Sequence, residues 1–180
     1  MDRKIYLNVT EKPSIAKLLT KELYGRKPVH QKSDSKYNPI VEFDYQHLGT
    51  RVKMVVTSVV GHIAGMEFAK GNGWNTVDPV VLIDSARINV EYAKDKLGIV
   101  SNLRRLAREA TDIVLWLDCD LEGEAICFEV LDICLGAKSG LVVHRAHFSA
   151  TTKEAFETAL ANLGKPDPNM RDVSDFLWIF

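Results

Sequence analysis

Five consecutive apolar residues, Ile113 to Leu117, run directly into an acidic segment, and this junction constrains the fold more than any other part of the sequence. A strand that is apolar at every position is typical of a parallel sheet with both faces covered. Four acidic residues follow it: Asp118, Asp120, Glu122 and Glu124. Open α/β sheets place ligand sites at the carboxyl ends of their strands, so the junction indicates both a fold class and a place for a site.

The rest of the chain alternates between strand-like and helix-like patterns. Predicted strands cover residues 4–9, 113–117 and 141–148, and a predicted hairpin over 41–62 turns near Gly49 and Thr50. Predicted helices begin near residues 13, 97, 123 and 151 and end near 25, 110, 137 and 163, and residues 26–40 predict a loop. This order favours an α/β sandwich with a mostly parallel central sheet and helices on both faces.

Composition narrows the class of protein. The 180 residues, 46% hydrophobic and 26% charged, suit one domain with a core. No apolar run is long enough for a membrane span, and the N-terminus lacks the pattern of a signal peptide, so we expect a nuclear or cytoplasmic protein. The net charge of −1 argues weakly against an autonomous nucleic-acid binder but leaves room for a local basic patch. Three unpaired cysteines, Cys119, Cys127 and Cys134, suit reduced thiols, and we expect them to act as small hydrophobic residues.

The acidic segment is a candidate metal site. In an extended chain Asp118, Asp120 and Glu122 would point the same way, and their mutual repulsion calls for a positive charge. Hard oxygen ligands at this density suit Mg²⁺. The alternative is a solvated helix start, which would account for Glu122 and Glu124. It leaves the two aspartates upstream unexplained.

Glu11 and Lys12 follow the first predicted strand, and we expect them at the same edge of the sheet as the acids. Glu11 is a candidate general acid or base, and Lys12 a candidate phosphate ligand. A surface ion pair at a helix start is the alternative.

His62, Arg145 and His147 also follow or end predicted strands. For His62, a structural hydrogen bond is the expected role, ahead of direct catalysis. Arg145 and His147 would lie on one side of their strand, where a phosphate contact and an exposed strand face are both open.

Four segments, "VTEKPSIAK", "VTSVVGH", "LDCDLEGEAI" and "HRAHFS", resemble in order and spacing the Toprim domain of type IA DNA topoisomerases, most of all the topoisomerase III branch. The resemblance covers about residues 4–165 and implies a Toprim fold, a Rossmann-like α/β sandwich. It implies Mg²⁺-dependent, single-strand cleavage and religation that relaxes negatively supercoiled DNA.

The resemblance also implies roles for single residues. Glu11 would assist departure and return of the deoxyribose 3′-hydroxyl, and Lys12 would lie beside the scissile phosphate. The metal-holding acids would be Asp118, Asp120 and Glu122. Supporting roles, including contact with DNA phosphate, would fall to His62, Arg145 and Glu124.

The sequence departs from that family in three places. Leu121 stands where the family usually has arginine, and His147 replaces a second arginine. The third departure is length: we expect a Toprim domain over 1–165 and a divergent tail over 166–180, with the attacking tyrosine and the downstream domains supplied outside this chain. Two other functions stay open, a Mg²⁺-dependent Toprim nuclease and a non-catalytic module that binds DNA or docks a partner on Phe176–Phe180.

Overall fold

The central sheet has six strands in a computed structural model that describes residues 3–68 and 88–170. The strands are Ile5–Thr10 (β1), Val29–Gln31 (β2), Ile40–His47 (β3), Thr50–Ser58 (β4), Asp112–Trp116 (β7) and Val142–Arg145 (β8). Their order across the sheet is β2-β3-β4-β1-β7-β8. Four neighbouring strands run parallel to one another: β4, β1, β7 and β8. Beyond β4, β3 pairs antiparallel with β4, and β2 pairs antiparallel with β3. The mostly parallel sheet predicted from the sequence is therefore confirmed.

A second sheet consists of the antiparallel strands Ala64–Phe68 (β5) and Ile88–Tyr92 (β6).

The proposed docking segment Phe176–Phe180 lies outside the described residues, so its role stays a prediction.

The helices cover both faces of the large sheet. They are Pro13–Tyr24 (α1), Leu97–Glu109 (α2), Leu121–Ala137 (α3) and Lys153–Ala161 (α4). Side chains of α1 and α4 share one buried cluster with Trp116, and side chains of α2 and α3 share the other with Leu115. Successive residues of β7 thus point into opposite cores, which explains why its pattern is unbroken rather than alternating. None of the helices in the described ranges combines the length and the apolar character that a membrane crossing needs.

Two local features differ from the predictions around the first hairpin. The turn is at Leu48 and Gly49, both with positive φ (45° and 79°), and it is closed by the pair His47 and Thr50. Positive φ at both central positions is the type I′ geometry that matches strand twist, and Gly49 supplies it without strain. The predicted loop over 26–40 contains the short edge strand β2. The hydrophobic pattern did not predict this strand because two of its three residues are polar.

Several strand and helix ends also differ from the predicted ones. Strand β8 ends at Arg145 rather than at residue 148, and α3 begins at Leu121 rather than at residue 123. Helix α4 uses Thr152, not Thr151, as its N-cap, with the hydroxyl accepting from the Ala155 amide at 3.3 Å. Adjacent threonines offer equivalent caps, so sequence cannot choose between them.

The reactivity of the three cysteines tests how tightly α3 packs against the sheet. Cys127 and Cys134 are fully buried on α3, and burial raises the pKa of both thiols to about 12, whereas Cys119 is exposed. At pH 8 we expect Ellman's reagent to titrate one thiol rapidly and all three only after denaturation. A Cys119→Ser variant should lose the rapid phase, and two or more rapid thiols in the wild type would contradict the packing.

Candidate functional site

The site lies where β1 and β7 end side by side. The two strands are parallel neighbours, and Thr10 is in register with Trp116. The residues that follow each strand therefore meet: the backbone amide of Asp118 donates to Glu11 Oε2 at 3.3 Å. The Nζ of Lys12 lies 3.0 Å from Glu11 Oε1 and 3.0 Å from Asp118 Oδ2. The predicted approach of Glu11 and Lys12 to the acidic segment is what the structure shows.

Lys12 carries the positive charge that the acids require. Its hydrogen bonds to Glu11, and then to Asp118, raise the pKa of the ammonium group above its ordinary value. Glu11 is buried and Lys12 is half-exposed, so the pair presents a fixed cation at the surface above a buried carboxylate. Because Lys12 is half-exposed, water screens its ion pairs and their contribution to stability is small.

Asp120 and Glu122 lie at the predicted end of the sheet, but at the start of α3 rather than in an extension of β7. Strand β7 stops at Trp116, so the alternation of an extended chain does not apply to them. Asp120 is the N-cap of α3, with Oδ1 accepting from the Gly123 amide at 2.7 Å, and Glu122 lies exposed in the first turn. Acids are favourable there because the helix N-terminus is partly positive. The helix-start interpretation thus describes their local structure without excluding a role as ligands.

Gly123 allows residues 118–122, the acidic loop, to turn closely over the start of α3. A Cβ at this position would lie 2.0 Å from the carbonyl oxygen of Asp118, closer than any real contact. The glycine in the motif is therefore required for close approach rather than for an unusual φ.

His62 is held at the edge of the site by an acid that the sequence analysis missed. Its Nδ1 lies 2.5 Å from Glu129 Oε1, and Glu129 Oε2 accepts from the amides of Ile63 and Ala64 at 2.7 and 3.2 Å. The bond to Glu129 raises the pKa of His62 above its ordinary value. His62 Nε2 also lies 4.0 Å from Glu122, so the expected structural role places the ring beside the acidic segment. The signal available for Glu129 was an acid placed between the apolar residues Phe128 and Val130 in the middle of α3.

Arg145 and Glu124 form a buried ion pair directly beneath the acidic loop. Arg145 is 0% exposed and Glu124 is 3% exposed, and Arg145 Nε donates to Glu124 Oε1 at 2.7 Å. The guanidinium also donates to backbone carbonyls, at 2.8–3.3 Å: those of Leu115, Leu117, Asp118 and Ala146. The sequence left open whether Arg145 contacts a phosphate or lies on an exposed strand face. Neither describes the structure, because its side chain is fully buried. The same burial removes Glu124 from contact with a ligand.

His147 lies next to Cys119 rather than in the cluster around Lys12. Its Nδ1 is 3.7 Å from Cys119 Sγ, and the thiol also lies 3.8 Å from the Phe148 carbonyl oxygen. These contacts bring the strand that carries Arg145 against the start of the acidic loop.

The donor chemistry of the acidic loop fits a magnesium ion. Mg²⁺ takes carboxylate oxygens from one or two residues and completes its shell with water and substrate phosphate. Asp118, Asp120 and Glu122 supply such oxygens at an accessible edge. Within residues 3–68 and 88–170, no three side chains of the metal-binding types lie close enough to hold an ion alone.

Comparison with known proteins identifies the wider group. A family model described as "Toprim domain" matches residues 7–151. The chain is 40% identical over 170 residues to DNA topoisomerase 3-alpha of Arabidopsis thaliana, covering 94% of this chain and 18% of that protein. It is 38% identical over 174 residues to human DNA topoisomerase 3-alpha (96% and 17%) and 38% identical over 172 residues to human DNA topoisomerase 3-beta-1 (92% and 20%). The chain thus spans about a fifth of the length of these relatives.

A solved structure agrees on the fold. Full-length topoisomerase I from Thermotoga maritima superposes with a TM-score of 0.52 at 22% identity, over 91% of this chain and 22% of that one. At this identity the likeness concerns the fold alone.

Breaking the buried pair should be costly. We expect Arg145→Met to lower the free energy of unfolding by about 3–5 kcal/mol, because Glu124 would keep a buried charge without its partner. Adding Glu124→Met should cost less than the sum of the two single changes. Urea denaturation followed by circular dichroism measures both.

Lys153→Met is the matched control for Arg145→Met. Lys153 is exposed and pairs with Glu157, one turn along α4, at 3.8 Å, so its loss should cost about 0.5 kcal/mol or less. An Arg145→Met variant no less stable than this control would refute the role of the pair.

Proposed function

This chain belongs to the Toprim domain family, and we propose that it is the Toprim part, over residues 1–165, of a type IA DNA topoisomerase of the topoisomerase III kind. The observation that carries the proposal is the convergence of Glu11, Lys12 and Asp118 at the ends of two adjacent parallel strands. A buried acid, a fixed cation and a half-exposed acid at one point can supply proton transfer and charge stabilisation for cleavage and rejoining of a phosphodiester.

Each group has a distinct part in the proposed reaction. A tyrosine from outside this chain attacks the phosphorus of one DNA strand and loses its hydroxyl proton to water. The bond to the 3′-oxygen breaks, and a 5′-phosphotyrosine link forms; rejoining reverses these steps. Glu11 gives a proton to the departing 3′-oxygen and takes it back on rejoining. Lys12, whose raised pKa keeps it charged, offsets negative charge on the phosphate oxygens.

The acidic loop would hold the magnesium ion. Asp118, Asp120 and Glu122 are the proposed ligands, and the bound ion would supply further positive charge for the phosphate. Asp118 also contacts Lys12, so metal and lysine would act on the same side of the cluster. Arg145 and Glu124 are positioning residues in this scheme, and His62 keeps the neighbouring loop against α3. A topoisomerase would work on nuclear DNA, or in the cytoplasm of a prokaryotic cell.

Removing two of the proposed ligands tests the metal site. We expect Asp118→Asn combined with Asp120→Asn to weaken Mn²⁺ binding roughly ten-fold or more, measured by electron paramagnetic resonance of the free ion. The control pair Asp95→Asn and Glu109→Gln removes equal charge from exposed positions just before α2 and at its last residue, and it should leave binding unchanged. Equal affinity in wild type and ligand variant would refute the assignment.

A cleavage assay separates the proposal from the nuclease alternative. If the nucleophile comes from outside this chain, the purified 180 residues with Mg²⁺ should leave a labelled single-stranded oligonucleotide intact and should not relax a supercoiled plasmid. Shorter products with free 5′-phosphate, made by the wild type and lost in Lys12→Met, would instead establish hydrolysis by water.

A further inference from the structure

The chain returns from α4 to the site along residues 164–167, which we call the strap. Gly164 pairs with Arg145 of β8 in an antiparallel bridge, in which the amide of each residue donates to the carbonyl of the other at 2.9 Å. Three residues later, the backbone amide of Asp167 donates to Glu124 Oε2 at 3.3 Å. The strap is therefore hydrogen-bonded to both members of the buried ion pair, one at each of its ends.

The ion pair connects the strap to the acidic loop. Glu124 uses Oε2 for the strap and Oε1 for Arg145 Nε, at 2.7 Å. The guanidinium then donates to the carbonyl of Asp118 at 2.8 Å and to that of Leu117 at 2.9 Å. Because Arg145 and Glu124 are buried, water does not readily replace a lost partner. A shift of the strap is thus passed to the backbone of the acidic loop.

A second line of contacts runs beside the first. A Cβ at Gly164 would lie 3.7 Å from His147 Nε2, so the backbone of the strap lies against this imidazole. The other ring nitrogen, Nδ1, lies 3.7 Å from Sγ of Cys119 in the acidic loop. The ring of His147 therefore lies between the strap and the loop.

The sequence of the strap makes it stiff. Pro166 and Pro168 stand on either side of Asp167. Each proline fixes its own φ and favours an extended conformation of the residue before it, here Lys165 and Asp167. A segment with few accessible conformations loses little entropy when it is held in one of them. The strap is thus suited to stay seated on the ion pair.

We propose that the strap positions the acidic loop and thereby sets its affinity for a divalent cation. While the strap is seated on Glu124 and Arg145, the loop keeps the geometry that binds the ion, and when the strap lifts, the affinity falls. A pull on the chain beyond Asp167 would then weaken the metal site from a distance. The inference rests on the proposed function in one respect, that the acidic loop binds a divalent cation.

Hydrogen exchange in EDTA tests whether the strap holds the loop. Asp167→Pro removes the amide that binds Glu124, whereas Asp167→Ala keeps it and loses only the side-chain bond to the Asn169 amide. In the proline variant we expect the amides of residues 118–123 to exchange about five-fold faster or more, measured by mass spectrometry. Exchange in the β3–β4 hairpin should stay as in the wild type, and the alanine variant should match the wild type in both places.

Cation affinity tests the consequence. Mn²⁺ binding to the 180-residue chain, measured by electron paramagnetic resonance of the free ion, should weaken about three-fold or more in Asp167→Pro and stay unchanged in Asp167→Ala. Urea denaturation accompanies the titration. A merely structural contact would lower the stability of the chain without changing the affinity of its folded form.

Pro166→Gly supplies a second comparison that removes no hydrogen bond. It frees the conformations of residues 165 and 166, so the strap should be seated for a smaller fraction of the time. We expect the acidic loop to exchange about two- to five-fold faster than in Pro28→Gly, the matched control at a partly exposed proline just before β2. Circular dichroism checks that each variant folds, and this pair decides if Asp167→Pro does not.

Three results would overturn the inference. The first is a proline variant that matches Asp167→Ala, or a Pro166→Gly variant that matches Pro28→Gly. The second is exchange that rises as much in the β3–β4 hairpin as in the loop, which would show general loosening. The third is faster loop exchange with unchanged Mn²⁺ affinity. A wild type that binds no Mn²⁺ would instead refute the proposed function, and the exchange in EDTA would still decide whether the strap holds the loop.

Discussion

The buried pair of Arg145 and Glu124 is the interaction on which the arrangement of the site depends. Arg145 belongs to β8 and Glu124 to α3, and the guanidinium also binds the carbonyls of Leu117 and Asp118 from below. A buried charge without its partner would cost several kcal/mol, so loss of either residue destabilises the other. The acidic loop is therefore fixed through its backbone, which leaves the side chain of Asp118 directed at Lys12 and the solvent.

Parallel pairing supplies the second half of the site. Because β1 and β7 end at the same edge, Glu11 and Lys12 meet Asp118 although more than a hundred residues separate them in the chain. The cation sits between two carboxylates and lowers their repulsion. In the proposed function a substrate phosphate would complete this site.

Hydrophobic pattern predicted the central strands and the helices well because these elements bury a face, as the unbroken run in β7 illustrates; it missed the edge strand β2, which buries none. The meeting of Glu11, Lys12 and Asp118 followed from the same topology. The direction of single side chains did not: the chain leaves the extended form at Trp116, and Asp120 becomes a helix cap. The inward turn of Arg145 depends on its distant partner on α3, which no local pattern reveals.

The central claim is that the acidic loop, held from beneath by Arg145 and faced by Glu11 and Lys12, gathers a divalent cation at the ends of β1 and β7. Anomalous X-ray diffraction from crystals of this chain soaked in Mn²⁺ tests it most directly. We predict a manganese peak within coordination distance of Asp118 and at least one of Asp120 and Glu122, on the side facing Lys12. A peak elsewhere on the molecule, or none at this edge under saturating Mn²⁺, would contradict the claim.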